Sequence, residues 1–167
     1  DRRNSTRRQL NRLAHLLRQV NGELDGEEIT ASGDRAFAIG DRITARAPNR
    51  DLHVEGDRHA YVRNGALGTI TAVHHDRRDP ADDALTAAFD GIGPIDIPRA
   101  FFDHHRTPAG RPEVGIDHAY ALTSYAVQGS TRDVSTSRVD ATATRSETYV
   151  DITRGRHANH LYLPAAV

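Results

Sequence analysis

Apolar residues recur at helical spacing near the start of the chain, at Leu10, Leu13, Leu17 and Val20, while Arg8, Arg12 and Arg18 fall elsewhere. This period predicts a helix over residues 4–20, with Asn4 or Ser5 as its cap. Residues 21–34, NGELDGEEITASGD, mix turn formers with five acidic residues and predict a loop or linker. From Ala36 to Phe102 the pattern shortens to strand-like runs, FAIGDRITARA, LGTITAV, LTAAF and IDI, with turn signals at Asn64-Gly65 and Asp90-Gly91. Strands this short, with few large apolar residues, suit a small curled barrel whose longer connections are residues 47–59 and 76–84. HRTPAGRPEVG, with two prolines and two glycines between His105 and Gly115, reads as a linker. Beyond it come a strand-like HAYALTSYAVQGST, a β-rich VSTSRV, a helical SETYVDITRGR and a terminal strand-like HLYL. That order is α/β. The fold expected is an open α/β sheet, with the first helix packed against it and the barrel inserted within it.

Composition narrows the classes of function. With 167 residues and 37% hydrophobic content, the chain can bury one moderate core or two small ones. The charged content of 27% and net charge of −1 fit a globular protein whose basic surface is local. All 22 basic residues are arginine, and lysine, cysteine, methionine and tryptophan are absent. Without lysine there is no phosphate-loop G-x-x-x-x-G-K-[ST], which excludes a self-sufficient nucleotide hydrolase of that class. Without cysteine there are no disulfides and no Cys-ligated zinc. No run has the length of a membrane span and no signal peptide is visible, so a cytoplasmic setting is the default expectation. The opening DRRNSTRR, without an initiating methionine, reads as an excised piece of a longer product.

Four arginines, Arg2, Arg3, Arg7 and Arg8, crowd the start of the first helix, where the dipole favours negative charge. A phosphate would suit them, and a solvated basic face is the other reading. The sharpest feature is DHAYALTSYAVQGST, residues 117–131. An apolar strand ending at Thr123 and Ser124, followed by Gln128-Gly129, places hydroxyls, an amide and a permissive backbone at a strand exit, where α/β sheets bind ligands. A polar turn capping a buried strand accounts for the same residues. In YVDITRGR, residues 149–156, Tyr149, Val150 and Ile152 can pack a helix while Arg154 and Arg156 project from its end. Such an arginine can stabilise a phosphate during transfer, or merely satisfy a helix C-terminus. The histidines predict no metal site: His74-His75 and His104-His105 are adjacent pairs, and His157-x-x-His160 has no third ligand nearby in sequence. Asn4-Ser5-Thr6 fits a glycosylation acceptor but reads as a cap.

Together and in order, DHAYALTSYAVQGST and YVDITRGR resemble motifs V and VI of superfamily 1 DNA helicases of the RecD and conjugative relaxase-helicase (TraA, TrwC-like) type. RRNSTRRQLN resembles the opening of that family's second motor domain. FAIGDRITARAPN and VRNGALGTITAV resemble the small Src-homology-3-like (SH3-like) barrel inserted before motif V. The resemblance runs with gaps from about Arg2 to Leu163. It implies a partial RecA-like (P-loop NTPase-type) second motor domain from residues 1–34 and 115–167, an inserted SH3-like β-barrel over 35–106, and a linker at 107–114. It implies that Gln128 and Gly129 lie at ATP phosphates, with Arg2 or Arg3 as a second phosphate sensor and Arg154 as the catalytic arginine finger. Thr123, Ser124 and Tyr125 would lie along single-stranded DNA. ATP and Mg2+ would be held by the first RecA-like domain, the implied partner, in the intact protein, and none is expected on this chain alone. Where the family commonly has His-Lys, this chain has Tyr125-Ala126, so a charged contact is missing. The alternative from another class is a non-catalytic DNA- or protein-binding module derived from a helicase.

Overall fold

A computed structural model of the chain describes residues 2–103, 105–106, 112–127, 129, 131–139 and 142–163, with backbone only at 2, 3, 105, 106, 112 and 113. The chain folds as two compact units, Asp1–Ala121 and Leu122–Val167. No helix among the described residues is long and apolar enough to cross a membrane.

The first unit opens with helix α1 (Arg2–Val20) and the hairpin of β1 (Glu28–Ala31) with β2 (Arg35–Ala38). There follow β3 (Arg42–Ala45), a second hairpin of β4 (Asn49–Val54) with β5 (Asp57–Val62), and β6 (Leu67–His74), β7 (Ala84–Phe89) and β8 (Gly93–Pro98). The short helix α2 (Arg99–Phe102), a ribbon of β9 (His105–Arg106) with β10 (Pro112–Glu113), and β11 (Ile116–His118) complete it. Five strands make one antiparallel sheet in the order β11-β3-β6-β7-β8. The turn signals at Asn64-Gly65 and Asp90-Gly91 both hold, with each glycine at positive φ.

The described residues do not show the expected SH3-like barrel. Among the described residues the five-stranded sheet is open, and the other strands of this unit pair only as two-stranded ribbons. The reason lies in FAIGDRITARA, which the Gly40-Asp41 turn divides between a hairpin and the sheet. Gly40 takes φ +95°, and Asp41 Oδ2 accepts from Ala38 N at 2.8 Å, so the chain reverses there instead of running on as one strand. β11 then takes the edge beside β3, tying the start of the 117–131 segment to the sheet of residues 42–98. Residues 21–34 and 47–59, expected as connections, contribute β1, β4 and the start of β5, and the expected linker contributes β10.

One apolar core fills this unit, built on Phe37, Ile43, Val62, Ile70, Leu85, Ile97 and Ile116, with Phe101 and Phe102 delivered by α2. No described side chain of α1 belongs to it. The leucine stripe of that helix faces outward: Leu13 is 56% exposed, Leu17 63% and Val20 85%. The buried positions are Arg7, Asn11 and His15, a polar stripe at four-residue spacing. Arg7 is therefore not part of a solvated basic face. Its guanidinium lies 2.8 Å from Asp117 Oδ2, and both side chains are almost fully buried.

The second unit contains β12 (Arg132–Arg138), α3 (Arg145–Ile152) and β13 (Gly155–Tyr162), a β-α-β unit with parallel strands. Thr144 and Glu147 close a capping box at the start of α3. Val139 is its only buried apolar residue among those described, while Tyr149, Leu161, Tyr162 and Leu163 are exposed.

The orientation of α1 leads to a pair of expected outcomes. Arg7→Met, which strands a buried carboxylate, lowers stability by about 3–5 kcal/mol, whereas Leu17→Ser changes it by no more than about 0.5 kcal/mol. Urea midpoints of the two variants check this, and a larger loss for Leu17→Ser would mean the apolar stripe is the packed one.

Candidate functional site

Helix α1 and the segment after β11, far apart in sequence, are joined by buried polar bonds. Besides the Arg7–Asp117 pair, Asn11 Nδ2 donates to the carbonyls of His118 at 3.0 Å and Ala121 at 3.2 Å, and Asn11 Oδ1 accepts from Ala121 N at 2.7 Å. Asn11 thus supplies the hydrogen bonds that a further paired strand would give the chain where β11 ends. Arg18 reaches Gly40 O at 3.1 Å and Tyr120 Oη at 2.9 Å.

Beneath these contacts sits Asp41, whose side chain is fully buried. It accepts from His15 Nδ1 at 3.0 Å, Tyr120 Oη at 2.5 Å and Ala38 N at 2.8 Å. His118 Nε2 lies 3.5 Å from Asp41 Oδ2, too far for a well-formed hydrogen bond. Burial alone would raise the Asp41 carboxyl, but His118, His15 and Tyr120 facing it outweigh burial and hold it well below the usual carboxylate range. The bond to Asp41 raises His15 above the ordinary histidine value against the opposing effect of burial, and Glu28 adds to the rise. Tyr120 is pushed up to about 12, by burial first and then by its bond to the Asp41 carboxylate.

In the second unit the segments of interest meet at one end of a parallel strand pair. Arg132 pairs with Gly155, and Arg132 N donates to Arg154 O at 2.9 Å. Residues just before β12 and those just before β13 therefore share the N-terminal end of the pair. Gly129, three residues before β12, is exposed at φ +83°. Gly155 is required by close approach, because a Cβ there would collide with Ala158 O and Asn159 Oδ1. Ser124 Oγ donates to Asp151 Oδ1 at 2.7 Å, fixing the 123–127 turn to α3.

No family model matches the sequence, and no curated protein matches it. Among solved structures, Pif1 from Bacteroides bound to single-stranded DNA superposes with a TM-score of 0.51 and 18% identity, over 79% of this chain and 30% of that one. A Pif1 helicase structure concerned with unwinding at forked double-stranded DNA gives 0.53 and 20%, over 83% of this chain and 30% of that one. The fold is one shared with Pif1 helicases. The chain spans about a third of the length of those Pif1 structures.

Within this Pif1-like fold the candidate residues fall into three groups, of which the sequence marked the first two. Gln128 and the side chains of Arg2 and Arg3 lie outside the described residues. Thr123, Ser124, Tyr125, Gly129 and Arg154 belong to the second unit. Thr123 is half-buried, with Oγ1 accepting from Ala126 N at 3.3 Å, and Tyr125 is 86% exposed. Arg154 folds back on its own helix, donating to Val150 O at 3.1 Å and Thr153 Oγ1 at 3.1 Å. His15, Asp41 and His118 form the third group, which sequence reasoning missed. The available signal was the regular spacing of Arg7, Asn11 and His15 on a helix read only for its leucines.

Ser124→Ala leaves the Asp151 carboxylate, 8% exposed, without its hydroxyl donor, at a cost of about 1–2 kcal/mol. Amide exchange at Val150, Asp151 and Ile152 should quicken by about tenfold. Unchanged protection there would mean the bond does not fix the turn to α3.

Proposed function

We propose that this chain is part of the second RecA-like motor domain of an ATP-dependent, single-stranded-DNA-translocating helicase, of the RecD and conjugative relaxase-helicase type. Residues 1–34 and 115–167 would together contribute to that domain, and residues 35–106 would be an insertion in it. The observation that carries this reading is the register of β12 with β13. It sets Arg132, which follows the segment resembling motif V, beside Arg154 of the segment resembling motif VI, at one end of a parallel β-α-β unit. The shared fold with part of the Pif1 helicases supports it. So do the outward leucines of α1 and the exposed Tyr149, Leu161 and Tyr162, which suit units that complete a larger domain.

In this reading the nucleotide's phosphates and Mg2+ are held by the first RecA-like domain of a longer polypeptide, which supplies the lysine and the carboxylates. Gln128 hydrogen-bonds a phosphate oxygen and Gly129 lets the backbone approach it. Arg154 leaves its resting bonds to Val150 O and Thr153 and turns to the γ-phosphate, with Arg2 or Arg3 as a second sensor. Charge that develops on the transferring phosphoryl group is then met by a guanidinium only when the two lobes are together. Thr123, Ser124 and Tyr125 follow the DNA strand with hydroxyls and an aromatic face in place of a cation. The setting is DNA transfer in conjugation, or recombination.

In the longer polypeptide, Arg154→Ala should lower kcat for DNA-stimulated ATP hydrolysis by about 10³-fold or more while single-stranded DNA affinity is retained. Steady-state ATPase assays with fluorescence-anisotropy titrations check this. Wild-type turnover in the variant would remove Arg154 from the reaction and overturn the reading.

A further inference from the structure

His15 on α1, Asp41 in the β2–β3 turn and His118 at the end of β11 bring two imidazole nitrogens and a carboxylate oxygen within 4.8 Å of one another. All three side chains are buried. We propose that they form a binding site for a divalent transition-metal ion, zinc being the best match.

The spacing about one oxygen fits: His15 Nδ1 lies 3.0 Å and His118 Nε2 3.5 Å from the same Asp41 Oδ2, which brackets the about 3.3 Å separating neighbouring ligand atoms around a tetrahedral zinc with bonds of about 2.0–2.1 Å. His118 Nε2 is buried with no hydrogen-bond partner among the described residues, an arrangement that a metal bond would satisfy. The surrounding groups orient the ligands. Glu28 Oε2 lies 3.7 Å from His15 Nε2, a carboxylate beside the outer nitrogen of the ring, while Nδ1 is the nitrogen that faces Asp41. Tyr120 Oη and Ala38 N hold the Asp41 carboxylate from either side. Two nitrogens and one oxygen favour zinc or its neighbours over calcium or magnesium, which require more oxygen ligands. Three protein ligands leave the fourth tetrahedral position to a water. The ion would replace the proton shared by His15 and Asp41 and tie α1 to the β2–β3 turn and β11.

The chain, stripped with chelator, should take up cobalt(II) stoichiometrically with the strong visible bands of a tetrahedral site, and zinc should displace it and raise Tm. His118→Gln should weaken zinc binding by more than about 100-fold, and Glu28→Gln by about tenfold. His157→Ala, on the exposed strand β13, should leave binding unchanged. Should His118→Gln fail to fold, the histidine nitrogen resonances of the wild-type chain decide the matter. Zinc must then shift His15 Nδ1 and His118 Nε2. Absence of tetrahedral bands, or zinc shifts confined to other histidines, would overturn the proposal.

Discussion

A charged carboxylate removed from water must be met by donors, and the way Asp41 is met determines how the first unit is put together. Its own turn supplies Ala38 N, the segment after β11 supplies Tyr120 Oη, and helix α1 supplies His15 Nδ1. Leaving such a group without those partners would cost several kcal/mol. Three parts of the chain, distant in sequence, are therefore bound to converge on it. Once His15 is committed inward, helical geometry turns Arg7 and Asn11 inward with it, where Asp117 and the backbone at His118 and Ala121 receive them. The helix is attached by polar bonds, and its leucines are left outside.

This inversion bears on function as much as on stability. A helix that docks through its polar face keeps an apolar stripe available, and the β-α-β unit carries exposed aromatic and aliphatic residues of its own. The polar attachments also fix Asp117 and Ala121, in the first part of the segment resembling motif V. In the second unit the parallel register of β12 and β13 sets Arg132 beside Arg154 at the start of both strands.

The sequence made several elements legible because local signals sufficed: α1 from its period, β6, β7 and β8 from short apolar runs between turn residues, and the β-α-β order from VSTSRV through HLYL. Strand membership was not legible. FAIGDRITARA reads as one run, and only the conformation at Gly40 and the cap from Asp41 show it divided between two sheets. The packed face of α1 was misread because periodicity weighs hydrophobicity, while the buried arginine and asparagine depend on partners about a hundred residues away and the histidine on Asp41, 26 residues on. The grouping of His15, Asp41 and His118 was hidden for the same reason, since ligand spacing in sequence finds only sites built from local loops. The residues resembling motifs V and VI could be picked out, but not that Arg154 rests on Val150 O and Thr153.

The central claim, that α1 is held by its polar face, is most directly tested by an NOE spectrum of the chain with labelled methyl and histidine groups. The account predicts cross-peaks from the His15 ring to His118, whose ring centroid lies 5.1 Å away, and none from the Leu13 and Leu17 methyls to Phe37, Phe102 or Ile29. Cross-peaks from those leucine methyls into the core, with the His15 ring in contact with solvent alone, would contradict it.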